Sequence, residues 1–154
     1  MTNNNNIAIG CDHRGLELKE RVKTILAAKG YNCRDFGTYT EESIDYPDIA
    51  GLVCNNVTAG IADKGILICS TGAGMCIAAN KFNGIRAVLC FDSFLARRAR
   101  EHNDANVLCL ASSVNTDVLS DIVTNFLEGV FEGDRHQRRI DKIKAIELAN
   151  KQDC

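Results

Sequence analysis

The chain has 154 residues, 45% of them hydrophobic, and a formal net charge of -2. That length and apolar content suit one domain with its own core and argue against two. The near balance of charge excludes the broad electrostatic attraction behind non-specific nucleic-acid binding, so an anionic ligand must be held by a local cluster, and a small molecule is the expected partner. No apolar run approaches the roughly 20 residues that cross a bilayer, and Met1 to Asn6 is a polar asparagine tract without a basic region or apolar signal core. The expected organisation is a disordered tract over 1–6 and a single domain over 7–154, cytoplasmic, with neither membrane nor nucleic acid as partner.

Eight cysteines stand at 11, 33, 54, 69, 76, 90, 109 and 154, with no Cys-x-x-Cys and no paired Cys/His spacing. Reduced thiols fit this scatter better than a disulfide framework, and neither a metal nor another cofactor is expected.

In chain order, Ile7 to Cys11 reads as a strand, and the polar turn Asp12-His13-Arg14-Gly15 leads into a helix. Leu18, Val22, Ile25 and Leu26 give that helix its apolar face, Glu17, Lys19, Glu20 and Lys23 take the other sides, and Gly30 ends it. Asn32 to Phe36 is a second strand, followed by an irregular stretch to Asp45-Tyr46-Pro47, where the single proline suits a helix's first turn. Ile49, Leu52, Val53 and Val57 stripe that helix, which stops at Gly60. The run from Ile66 is a third strand, Met75 to Lys81 a short helix, Ile85 to Cys90 a fourth strand, Asp92 to Glu101 a helix and Val107 to Leu110 a fifth strand. Val114 to Phe131 contains a long apolar helix, and Arg135 to Lys151 a more polar one with Ile140, Ile143 and Ile146 as its core face. Strands alternating with helices predict an α/β, Rossmann-like three-layer fold: a five-stranded parallel sheet with helices on both faces and ligands beyond the carboxyl ends of the strands.

The chemistry centres on Ile66 to Gly74, where an apolar run stops at a thiol, two hydroxyls and two glycines. Gly72 and Gly74 free the backbone to turn its N–H groups toward one point, a helix starting nearby adds its dipole, and Cys69 would then sit beside an oxyanion hole. The alternative is that Cys69 fills space and the glycines make a tight turn. The Gly-Lys-Ser/Thr ending of a P-loop and the third glycine of a dinucleotide fingerprint are both absent. Cys11, Cys69, Cys90 and Cys109 each fall near the end of an apolar run and could gather at the carboxyl rim.

Of the three histidines, at 13, 102 and 136, His13 follows the first strand and can reach that rim. His102, with Asn103, precedes the fifth strand and belongs to the opposite, amino edge. Either the preceding helix is longer and bends back, or His102 completes a site in a second copy of the chain. Arg135 and Arg139, four apart on one helix face, could clamp a phosphate, or could be a solvated basic face.

These residues resemble the ribose-5-phosphate isomerase B family and its relatives, the galactose-6-phosphate isomerase subunits. The resemblance covers nearly the whole chain through seven ordered blocks: Gly10 to His13, Asp45 to Pro47, Ile68 to Gly74, Ala78 to Lys81, Gly84 to Ala87, His102 to Val107 and Gly133 to Gln137. It implies a homodimer, or a tetramer built from it, with active sites shared between subunits. It also implies metal-free interconversion of ribose 5-phosphate and ribulose 5-phosphate through an enediolate, in the non-oxidative branch of the pentose phosphate pathway. Carried over, it makes Cys69 the base, with Thr71 and the amides of Ser70, Gly72, Ala73 and Gly74 holding the enediolate. His102 would help open the furanose ring, Asp12 and Asn103 orient hydroxyls, Tyr46 line the sugar, and His13, Arg135 and Arg139 hold the phosphate. The family's second base arrangement uses a glutamate just after the glycine turn; Met75 stands there, which leaves Cys69. Many members carry an arginine where this chain has Ser113, so one phosphate contact is expected to differ. A hexose 6-phosphate isomerase, galactose 6-phosphate included, and a non-catalytic phosphosugar sensor are the competing readings.

Overall fold

Strands covered on both faces need nearly continuous apolar runs, and Ile7 to Cys11, Gly65 to Cys69 and Val107 to Ala111 are buried throughout. They lie at the centre of a five-stranded sheet ordered β2-β1-β3-β5-β4, with every neighbouring pair parallel. The strands are β1 (Asn6–Cys11), β2 (Asn32–Asp35), β3 (Lys64–Cys69), β4 (Ala87–Leu89) and β5 (Val107–Ala111). The helices are α1 (Leu16–Ala28), α2 (Tyr46–Thr58), α3 (Ala73–Ala79), α4 (Ser93–Asn103), α5 (Thr116–Glu128) and α6 (Arg135–Gln152). The computed structural model describes residues 5–152, so the expected tract 1–6 lies mostly outside the described residues, as does Cys154. Asn6, read as part of that tract, instead opens β1 opposite Asn32.

Leu18, Val22 and Leu26 of α1, Ala96 and Ala99 of α4, and Leu119, Ile122 and Phe126 of α5 pack on Ile7, Ile9, Ile66, Ile68, Leu108 and Leu110. Ile49 and Val53 of α2 and Met75 and Ala79 of α3 cover the other face at Ala8, Leu67, Val107 and Cys109. The expected three-layer α/β architecture is therefore present. Both sets are well buried, and truncating a fully buried side chain such as Phe126 to Ala should cost about 3–5 kcal/mol. Right-handed crossovers place the layers: the chain leaves β1 toward one side of the sheet and β3 toward the other, which opens a crevice at their carboxyl ends.

Four local features depart from expectation. Lys19 is fully buried, its Nζ 2.9 Å from Asp35 Oδ1 and donating to the Thr38 carbonyl at 2.6 Å. It stands beside Leu18, at the edge of the apolar stripe, and its long stem reaches an anion across the layer. β4 begins at Ala87 rather than Ile85, because Asn106 takes the Arg86 N–H at 2.8 Å and Asn80 takes the Ala87 N–H at 2.9 Å. Helix α4 continues past Glu101 through His102 and Asn103 and ends at Asp104, whose φ of 45° is left-handed. In α6 only Ile140 of the expected core face is buried; Ile143 and Ile146 are 40% and 62% exposed, since few residues of this helix contact the rest of the fold.

Candidate active site

At the end of β3 the backbone turns sharply through Ser70 to Gly72 into α3. Gly72 has φ 74°, and a Cβ there would stand 2.9 Å from the Leu110 carbonyl carbon and 3.1 Å from the Ala111 nitrogen. Only glycine lets this turn lie against β5. The Ala73 N–H donates to Thr71 Oγ1 at 3.3 Å, while the N–H groups of Gly74 and Met75, in the first helical turn, have no acceptor within the helix. Cys69 is buried on the α2/α3 face, 4% exposed, and its carbonyl accepts the Ser112 N–H at 2.9 Å. Ser112 Oγ donates to the Ser70 carbonyl at 3.2 Å, which sets the exposed Ser113 on the same rim.

The turn after β1 joins it. The Asp12 N–H donates to the Ile68 carbonyl at 3.0 Å, and the Asp12 carboxylate, 6% exposed, accepts the Arg14 N–H at 2.9 Å. His13 Nδ1 accepts the Ile44 N–H at 3.3 Å, so the proton of the neutral ring is on Nε2. His13 lines an open polar groove of about 630 Å³ with Arg14, Leu16, Glu17, Glu41 and Ser43. Asp45, with extended backbone, starts α2, and Pro47 sits in its first turn, which aims Tyr46 across the rim. The Tyr46 ring lies on Gly74, where a Cβ would be 2.8 Å from it. Asp12, His13, Tyr46, Cys69, Ser70, Thr71, Gly72, Ala73 and Gly74 thus share the carboxyl end of the sheet.

The four cysteines expected at the rim do not gather there. Cys11 and Cys90 face the α1/α4/α5 layer, where burial pushes their pKa up to about 11 and about 12. Cys109 shares the Cys69 face but lies two residues short of the end of β5, because neighbouring strand positions alternate between faces. Sequence reasoning passed over Cys76 on α3. A hydrogen bond with Cys109 draws its thiol down to about 7 against the effect of burial, and Asn80 Nδ2 stands 3.6 Å from its sulfur. Its signal was an inward helix position one turn after Gly72.

His102, Asn103, Arg135 and Arg139 are at the other end. Val107 is level with Gly65 and Ala111 with Cys69, so about 13 Å of strand separates Cys69 from even the first residue of β5. Helix α4 does not bend back: Asp104 is held by Arg86 and Arg100 at 2.9 Å each, and the Ala105 N–H returns to the Ala99 carbonyl at 3.0 Å. Here the His102 and His136 rings stack with centroids 4.2 Å apart and planes 10° from parallel. Glu132 Oε2 stands 3.7 Å from His102 Nε2 and 3.5 Å from His136 Nε2. Arg98 NH1 is 3.2 Å from His102 Nε2, and Arg139 NH1 is 3.4 Å from His136 Nδ1. Arg135 and Arg139 are exposed, and among the described residues no carboxylate pairs with either, so both guanidiniums are available to an anion.

Among the described residues, His102, Glu132 and His136 form the one group that could hold a metal, with ligand atoms within 4.8 Å of one another. Imidazole lone pairs lie in the ring plane, however, and two nearly parallel rings send them side by side rather than to one point. As arranged, the trio is an imidazole stack rather than a chelate. His136 and Glu132 were not expected from sequence; their spacing of four beside Arg135 was the available signal.

Residues 7–143 match the family model described as Ribose/Galactose Isomerase. The chain is 46% identical over 142 residues to ribose-5-phosphate isomerase B of Escherichia coli, covering 92% of this chain and 95% of that one. Its structure resembles that of ribose-5-phosphate isomerase B from Clostridium thermocellum with a TM-score of 0.92 and 47% identity, covering 94% of this chain and 99% of that one. The enzyme of Mycoplasma genitalium with bound ribulose-5-phosphate gives a TM-score of 0.87 at 48% identity, over 93% and 96% of the two chains.

Proposed function

Since the chain belongs to the ribose/galactose isomerase family, we propose that it interconverts ribose 5-phosphate and ribulose 5-phosphate with Cys69 as the base that moves a proton between C2 and C1, with no metal or cofactor taking part. The observation that carries this reading is the Cys69 thiol at a glycine turn whose free amides point out of the carboxyl rim, in a chain so similar to enzymes of that name. In the open-chain aldose, the Cys69 thiolate takes the C2 proton, and the C1 carbonyl oxygen becomes the enediolate oxyanion. Thr71 and the amides of the glycine turn hold that charge. The C2 hydroxyl proton passes to O1, the thiol returns its own proton to C1, and the C2 carbonyl of the ketose forms beside a C1 hydroxyl. Asp12 and Tyr46 orient the sugar from the rim.

Ring opening and phosphate binding draw on the opposite end of the sheet, so the proposal includes a homodimer with shared sites. In it His102 and Asn103, with Arg135 and Arg139, come from the partner and meet the rim of the first chain, where His13 also faces the phosphate. Two features support this: the strand-length separation of Cys69 from His102, and the exposed Ile143 and Ile146 that share a groove with Asn103. Mixed dimers test it. Cys69→Ala and His102→Asn chains, each inactive alone, should recover activity when exchanged, because each heterodimer holds one intact site. No recovery after verified exchange would place both groups in one chain.

The second reading is a hexose 6-phosphate substrate. It is favoured by Ser113, which leaves the rim beside Ser70 one cation poorer than the family pattern. Turnover across a panel of five- and six-carbon sugar phosphates decides between them, and loss of all turnover would favour a phosphosugar sensor instead.

A further inference from the structure

The chain carries a single Asn-Gly pair, Asn83-Gly84, in the turn between α3 and β4, and neither residue has a task in the mechanism above. We propose that this pair is a site of spontaneous covalent modification, in which Asn83 becomes isoaspartate or aspartate, and that the Glu147 carboxylate on α6 holds the reaction in check.

The side-chain amide of an asparagine is open to attack by the backbone nitrogen of the next residue, and glycine, with no side chain, obstructs that attack least. The Gly84 nitrogen gives its proton to water and bonds to Asn83 Cγ. The Cγ–Nδ2 bond breaks and ammonia leaves with a proton returned by water, which closes a five-membered imide. Water then opens the ring. Cleavage of the Cγ–N bond yields aspartate, while cleavage between the nitrogen and the backbone carbonyl carbon yields isoaspartate, whose Cβ has entered the main chain. Nothing is oxidised or reduced.

Asn83 and Gly84 are exposed, a Cβ at Gly84 would meet nothing within 4 Å, and neither residue lines the groove that Asn103 shares with Ile143 and Ile146. Water reaches the pair, yet its nucleophile is held. The Gly84 N–H donates to Glu147 Oε1 at 3.1 Å and to Oε2 at 3.2 Å. Glu147 is the one residue between Asp141 and Asn150 that is not exposed, so this contact is where the second half of α6 meets the fold. An imide nitrogen carries no hydrogen, so the bond must break before the ring can close. The carboxylate also opposes the negative charge that gathers on the nitrogen as its proton leaves. The turn is tied on both sides: the Ile85 N–H donates to the Phe82 carbonyl at 3.1 Å, and Asn106 Nδ2 donates to the Gly84 carbonyl at 2.8 Å. The rate is then set by how often α6 lifts from the turn.

The product reaches the amino-end half of the site. Arg86, two residues on, donates its N–H to Asn106 Oδ1 at 2.8 Å and its Nε to the Asn103 carbonyl at 3.0 Å. An extra chain atom before Gly84, with a new carboxylate close to Glu147, loosens that tie. This link to turnover rests on the reading of Asn103 as a substrate residue.

Ageing the full chain at neutral pH, followed by peptide mapping with mass spectrometry, tests the site. Asn83 should convert about tenfold or more slowly in the folded parent than in the chain unfolded by urea, and Glu147→Ala should speed the folded rate about fivefold or more without changing the unfolded one. Asp141→Ala removes a carboxylate of the same helix that pairs with Gln137, and should convert as the parent does. The proposal is overturned if Glu147→Ala converts within about twofold of the parent, if Asp141→Ala speeds conversion equally, or if other asparagines of the folded chain convert before Asn83. Turnover should fall in step with the isoaspartate fraction and hold in Asn83→Ala over the same period; full turnover in converted protein would overturn the link to Asn103. A chain that turns over no sugar phosphate at any age would sink the proposed function instead, and the mass readings would still decide the role of Glu147.

Discussion

The two ends of the sheet build their sites from different materials. At the carboxyl end the working parts are backbone: a left-handed Gly72, free amides and the carbonyl ties of Asp12 and Ser112, with one thiol set among them. At the amino end they are side chains, namely two stacked imidazoles and a row of guanidiniums carried on α4 and α6, with the Glu132 carboxylate from the segment before α6. Backbone donors suit a charge that develops at one fixed point, since they need no reordering when it appears. Long cationic side chains suit a phosphate that must be caught and released. On the proposed function, the difference matches proton abstraction at the carboxyl end and ring opening with the arginine anchors at the amino end.

The largest expected effect strikes the carboxyl end. Cys69→Ala should abolish isomerisation while sugar-phosphate affinity, read by calorimetry, stays within about tenfold, because the thiol acts in the transition state. Near-normal turnover would remove Cys69 from the mechanism. At the amino end the pattern should invert. Arg139→Ala loses a charge-assisted contact worth about 1.5–3 kcal/mol in ground and transition states alike, so KM should rise some 10- to 100-fold with a smaller fall in kcat. A pure kcat effect would break the division of labour.

A third expectation concerns what keeps the carboxyl end rigid. Lys19 and the Gly37 N–H both bind Asp35 at 2.9 Å, and Gly37 and Thr38 in turn pair with Cys11 at the rim. Burial alone would raise the Asp35 pKa, but Lys19, Gly37 and Lys23 together bring it below the ordinary carboxylate value. A depressed carboxylate stabilises the fold above its unfolded pKa of about 3.9, and that contribution is lost as pH falls through the folded value. Asp35→Asn should therefore cost about 1–3 kcal/mol at neutral pH, after allowance for the water still reaching the pair, and progressively less below pH 4 in urea titrations. A pH-independent deficit would remove the ion pair as its cause.

The smallest effect separates two thiols on one face. Cys76, with its pKa near 7, should be labelled by iodoacetamide at neutral pH ahead of Cys11, Cys33, Cys54, Cys90 and Cys109, whose thiols are pushed up, as peptide mapping would show. Cys76→Ala should nonetheless leave turnover within about twofold, since its sulfur contacts Asn80 and the Ala87 carbonyl rather than the glycine turn. A large loss would move the base from β3 to α3.

The sheet was legible because its strands are apolar runs punctuated by polar turns, a pattern that period and length alone report. The glycine turn was legible for the same reason. Lys19 was not, because a charge written beside other charges reads as solvent-facing until a partner such as Asp35 is known to lie across the layer. The α6 stripe misled for the opposite reason: periodicity marks an apolar face but not what covers it. His136 escaped notice because stacking is a relation between helices, and neither α4 nor α6 records the other in its own spacing. The separation of His102 from Cys69 within the chain, by contrast, was visible in the place of His102 before β5, and the αL cap at Asp104 accounts for it physically.

That separation has a consequence for dilution. If a lone chain holds only half of the chemistry, turnover follows the fraction of chains that are paired, and mass action makes that fraction fall as protein becomes scarce. Specific activity would then decline with concentration below the dimer's Kd, and a chain defective at one end would lower the output of every sound chain it met.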